Sequence, residues 1–203
     1  MRLPIGTHTQ RPWRIHRIAP DFAVLDVWAY RCPGAGPDDL ATMLSAIQAS
    51  ATHDSGPSPS RLLFAVRWKL GELFGWDDEE STVPSLTECL PEDLRRPETG
   101  APMAGLPFTL LYQTHDEVAM EVVNRTVHAV AHLGWVRTRD GDYQLRMAVL
   151  VKPNGLLGRA YLSAIAPFRY LIVYPAMTRQ WERAWRERAG SSGIVTPLTG
   201  NPR

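Results

Sequence analysis

Two cysteines, Cys32 and Cys89, are all that 203 residues offer, too few for a disulfide framework, and both read as reduced structural thiols. Charge of one sign is also lacking: 22 Lys+Arg against 21 Asp+Glu leave +1. That balance gives no electrostatic case for nucleic acid or an anionic membrane. No apolar stretch approaches the roughly 20 residues that cross a bilayer, so no membrane span is expected. The opening MRLPIGTHTQRPWRIHRI has no apolar run followed by small residues, which predicts no secretory signal and a cytoplasmic location. A Ser-His-Asp arrangement, a nucleophile-elbow sequence, a P-loop and a zinc cysteine cluster are missing as well. Neither a metal nor a cofactor is implied.

What is present is an ordinary globular composition, 44% hydrophobic and 21% charged, with seven Trp, six Tyr and five Phe. Such a chain can bury a substantial core, and it reads as a single domain over 1–203. Residues Phe22 to Tyr30 alternate, with Phe22, Val24, Asp26, Trp28 and Tyr30 on one face, and Pro33-Gly34 ends this strand. Leu40, Met43, Leu44 and Ile47 follow helical spacing behind Asp38 and Asp39. A second helix is predicted from Ser60 to Gly75, with Leu63, Val66, Leu70 and Phe74 as its stripe. Residues 77–107, acidic and then proline-rich, read as a surface excursion. Strands follow at about 109–113, 117–123, 126–136 and 143–151. A long helix from Gly155 to about Arg188 buries Leu157, Tyr161, Ala164, Phe168, Leu171 and Trp181, and a flexible tail starts near 190. Pro167 and Pro175 lie inside that helix, where each costs about 3 kcal/mol, so a kink or two helices in series is expected. The fold class is α+β, an antiparallel sheet wrapped around the C-terminal helix.

Two hairpins can be registered. A two-residue turn at Asn124-Arg125 sets Glu121 opposite His128 and Glu117 opposite His132. A three-residue loop at 139–141, with Gly141 left-handed, sets Trp135 opposite Leu145, Leu133 opposite Met147 and Ala131 opposite Val149. One face of this sheet is then apolar and meets the C-terminal helix. The other carries Glu117, Glu121, His128, His132, Gln144 and Arg146. Those Glu–His pairs are either cross-strand pairs on a solvated surface or, if the face is covered, carboxylates orienting imidazoles for acid–base work. Metal binding by His128 and His132 is disfavoured, because four residues along a strand separate them by about 13 Å. Arg67 falls in the apolar stripe of the second helix, where it either snorkels, pairs with a carboxylate such as Asp26, or anchors an anionic ligand group.

The stretch VLVKPNGLLGRAYLSAIAPFRYLIVYPAMTRQ at 149–180 resembles the C-terminal signature of the bacterial family called domain of unknown function 2867. RWKLGELFGWDD at 67–78 and NRTVHAVAHLGW at 124–135 are similar to its actinobacterial branch. The resemblance implies a START-like, helix-grip fold, the SRPBCC superfamily of polyketide cyclases, lipid-transfer domains and plant hydrophobic-ligand binders. It carries over no catalytic residue. Some relatives join this domain to a dinucleotide-binding domain; none is read here, so a nicotinamide cofactor is not implied. The expected function is binding of an apolar small molecule, polyketide, aromatic or lipid-like, between sheet and C-terminal helix, with cyclisation or proton transfer as the chemistry it would support. Trp28, Tyr30, Trp135 and Tyr161 are the expected wall, Arg67 the anchor, and Glu121, His128 and His132 the acid–base groups. The alternative is a non-enzymatic carrier or a protein-interaction domain.

Overall fold

A computed structural model describes residues 1–53, 83–102, 108–124 and 126–191. The predicted helix at 60–75, with Arg67, lies outside the described residues. Among the described residues six strands form one antiparallel sheet: β1 (Arg2–Leu3), β2 (Ala23–Arg31), β3 (Thr109–Gln113), β4 (Glu117–Val123), β5 (Val127–Arg137) and β6 (Tyr143–Pro153). Their order across the sheet is β1-β2-β6-β5-β4-β3. Short helices α1 (Gly6–Thr9) and α2 (Ile15–Ile18) precede β2, and α3 (Leu40–His53) follows it. Leu40 and Met43 are the buried anchors of α3, as their helical spacing predicts. Two short 3-10 turns, Leu86–Cys89 and Glu92–Leu94, lead toward β3.

The chain ends in α4 (Gly155–Phe168), a π-helical turn at Arg169–Val173, and α5 (Tyr174–Ser191). The two prolines neither break nor separate these pieces. Pro175 has no N–H to return to the preceding turn, and the wider π turn takes up the mismatch. By length and composition Gly155–Arg188 is long and apolar enough to cross a bilayer, a test that the core helix of a soluble protein also passes. The buried face of this helix is formed by Gly158, Tyr161, Ile165, Arg169, Val173, Tyr174, Ala184 and Trp185. The predicted stripe is therefore rotated: Leu157 and Leu171 are exposed. Gly158 sets that rotation, since a Cβ there would lie 2.1 Å from the Thr126 carbonyl oxygen. Only glycine lets the helix approach the β4–β5 turn so closely.

The second hairpin has the register read from sequence, Trp135 opposite Leu145 and Leu133 opposite Met147, with Gly141 at φ +95°. The first is slipped by two residues: Val123, not Glu121, faces His128, and Ala119 faces His132. Asn124 causes the slip by accepting from the backbone N–H of Thr126 and Val127, which builds a longer turn. An even slip keeps every side chain on its face. A bulge between Val24 and Asp26 corrects another reading. Phe22 and Val24 go to the face opposite Asp26, Trp28 and Tyr30, because the extra residue inverts the alternation.

Both faces of the sheet are covered. On one side Val118, Met120, Leu133, Trp135, Leu145 and Met147 pack with Tyr30, α3 and Trp185 of α5. On the other, Ala119, Val130, Val136, Ala148 and Leu150 pack under Trp13, Ile15 and Ile18 from the N-terminal segment and Leu86, Leu90 and Leu94 from residues 83–102.

Candidate functional site

The Glu–His face is an interior. Glu117, Glu121, His128 and His132 are each 3% exposed or less. Glu117 accepts from His132 Nε2 at 2.9 Å, from the Tyr112 hydroxyl at 3.2 Å and from the Arg14 backbone N–H, and the Arg14 guanidinium pairs with it at 3.3 Å. If His132 donates from Nε2, its Nδ1 is an acceptor, and His8 Nε2 lies 3.1 Å from it. That order leaves His8 Nδ1 as a buried acceptor without a partner. Burial first, then the neighbouring His132 and His16, push the His8 imidazole down to about 3. Burial also lowers His132, outweighing the pull of Glu117. Two neutral imidazoles thus link the N-terminal segment to β5, with Trp13 seated on Gly134 and tilted over His132 at 5.1 Å.

Nearer the sheet edge, Glu121 accepts from His128 Nε2 at 2.8 Å, from the Leu86 backbone N–H at 3.1 Å and from the Ser85 hydroxyl. Burial drives the Glu121 carboxyl upward, yet these three donors together hold it below the usual range. The predicted partners thus do meet, as diagonal neighbours rather than direct opposites.

The helix face carries a different polar group. Asp26, 1% exposed, accepts from Arg169 Nη2 at 2.8 Å, from the Tyr174 hydroxyl at 3.0 Å and from the Tyr170 hydroxyl. Arg169 belongs to the π turn, a form of backbone often found at functional positions. Burial, with Asp26 adding to it, raises the Tyr170 phenol. Tyr174 is raised too, by burial first; the Arg169 guanidinium opposes that rise and Asp26 adds to it. Trp28 stacks on Tyr174 at 4.6 Å. Two donors here, Trp28 Nε1 and Arg169 Nε, are buried with no acceptor among the described residues. Other aromatics along the seam have theirs: Trp135 Nε1 donates to the Gly36 carbonyl at 2.9 Å and Trp185 Nε1 to that of Pro33 at 3.1 Å.

The sequence-predicted site is therefore divided. Trp28, Tyr30 and Trp135 face the C-terminal helix, while Glu121, His128 and His132 lie behind the sheet. One cavity served by both sets is not what the fold builds, because strand alternation sends them to opposite sides. Tyr161 sits in a third cluster with Val127, Val151 and Ile165 under α4. Sequence reasoning missed Arg169, Tyr170 and Tyr174. The available signal was Arg169 itself, the lone charged residue between Arg159 and Arg179 in an apolar helix. Among the described residues no cluster of three or more His, Cys, Asp or Glu side chains is arranged to hold a metal ion.

Residues 18–176 match the model of a family described as protein of unknown function (DUF2867). No curated protein and no solved structure matches the chain.

Proposed function

The chain belongs to the DUF2867 family, and from that premise we propose a helix-grip, START-like domain that binds an apolar small molecule at the seam between β2 and the C-terminal helix. The ligand carries a carbonyl or hydroxyl oxygen, as polyketide-like compounds do. The observation behind this reading is the pair of buried donors, Trp28 Nε1 and Arg169 Nε, that have no acceptor among the described residues. A buried donor left unmet costs about 1–3 kcal/mol, and an oxygen-bearing ligand would relieve that cost. Because the Arg169 charge is already neutralised by Asp26, a neutral acceptor suits the position better than an anion. The Trp28–Tyr174 stack supplies the apolar surface beside it.

Binding rather than turnover is the reading favoured, since His132 is 0% exposed and every acid–base candidate lies behind the sheet. Native mass spectrometry of protein purified gently from its host tests this. An apolar, oxygen-containing compound should co-purify with the wild-type chain. Trp28→Phe, which keeps the ring face and removes the N–H, should retain it at least tenfold less well, about the worth of a buried hydrogen bond. Equal retention by both proteins would refute the role given to Trp28.

A further inference from the structure

Three carboxylates are buried in the described residues, and two of them have a guanidinium partner. Asp26 is paired with Arg169 and Glu117 with Arg14. Glu121, 2% exposed, has neither an arginine nor a lysine among the described residues; its donors are the His128 imidazole, the Ser85 hydroxyl and the Leu86 N–H. A buried charge without a counter-charge is costly, and proteins seldom keep one unless something compensates it.

Glu121 also differs from the other two in its surroundings. It lines a cleft of about 350 Å³ together with Ser85, Thr87, Gly100, Thr109, Val122 and Val123. That volume lies at the lower end of small-molecule sites, which run from roughly 300 to 1,000 Å³. Glu121 is the one charged residue of the lining among the described residues, and Ser85, Thr87 and Thr109 add hydroxyls. Both lone pairs of Oε2 are engaged, by Leu86 and His128, whereas Oε1 has only Ser85 among the described residues. One acceptor position is left on Oε1.

We propose that this cleft binds a small molecule bearing a protonated primary amine, with Glu121 as its counter-ion and the Thr87 and Thr109 hydroxyls accepting its remaining N–H groups. The site lies on the sheet face opposite the Trp28–Arg169 seam and does not depend on that reading. His128 provides the competing account: as an imidazolium it would itself be the missing cation, and the charge would be balanced internally.

Titration of the full chain with n-butylammonium chloride, followed through backbone amide resonances, distinguishes these. Saturable shifts confined to residues 85–87, 100, 109 and 121–123 are expected, and n-butanol, equal in shape but uncharged, should give none. Glu121→Gln should weaken butylammonium binding about tenfold or more, the worth of a hydrogen bond to a charged group. Should that variant fail to fold, Thr109→Val keeps the carboxylate and its three donors and removes one accepting hydroxyl, so binding should weaken about two- to tenfold, the worth of one neutral hydrogen bond. Four results would overturn the proposal: no saturable binding of butylammonium, equal shifts with butanol, a Thr109→Val protein that binds as tightly as wild type, or a His128 ring found doubly protonated at pH 7.5.

Discussion

Acid should loosen the N-terminal segment, and the size of the effect follows from His8. The imidazole is 2% exposed, held at 3.1 Å from His132 and displaced from an ordinary value near 6.5 to about 3. The folded state therefore binds fewer protons than the unfolded one across that interval. Stability contributed by the neutral ring is complete above about pH 6.5 and is lost as pH falls toward 3, at no more than about 1.4 kcal/mol per pH unit. At pH 5 the unfolded ring is almost fully protonated while the folded ring is still neutral, a loss of about 2 kcal/mol from His8 alone. Urea unfolding of wild type and His8→Gln at pH 7.5 and pH 5 measures it. Glutamine keeps an N–H for His132 Nδ1 and cannot titrate, so its stability should fall by about 2 kcal/mol less than that of wild type. Equal losses in the two proteins would show that His8 is not held neutral by its surroundings.

Three further outcomes follow from packing and pairing. Asp26→Asn leaves the Arg169 guanidinium buried without its counter-charge and should cost about 3–5 kcal/mol in chemical denaturation; a loss below 1 kcal/mol would mean that the helix contact is wet. Gly158→Ala forces a methyl group against the Thr126 carbonyl, so at least about 2 kcal/mol should be lost and amide exchange at 126–128 should quicken. Asn124→Ala removes the acceptor shared by the N–H groups of Thr126 and Val127 and should cost about 1–2 kcal/mol by thermal melting, with the β5–β6 register unchanged.

The alternation of β4, β5 and β6 was readable because every second residue changes character, and a two-residue slip cannot alter that. Hence Glu121 finds His128 and Glu117 finds His132 even though the turn at Asn124 is longer than the shortest hairpin allows. The bulge at β2 was not readable: Phe22, Val24, Asp26, Trp28 and Tyr30 fit one face in sequence, and one extra residue between Val24 and Asp26 undoes the pattern locally. Nor could periodicity say what covers the Glu–His face. Its cover comes from Trp13, Ile15 and Ile18 and from Leu86, Leu90 and Leu94, in short irregular pieces without a helical or strand period. The C-terminal helix was legible in extent but not in rotation, because the choice between Leu157 and Gly158 is made by the close approach to Thr126. The division of candidate residues between two sides of one sheet follows from strand geometry once the covers are known.

The indole N–H resonances report most directly on the seam between β2 and the C-terminal helix. Trp135 and Trp185 donate to carbonyls and Trp28 does not. In a nitrogen–proton correlation spectrum Trp28, assigned through Trp28→Phe, should resonate upfield of both. It should move downfield when an apolar ketone such as benzophenone is added, with Trp135 and Trp185 little changed. A Trp28 resonance already at the position of the bonded indoles, or one that stays fixed while the ketone shifts the others, would contradict a ligand oxygen seated at Trp28 and Arg169.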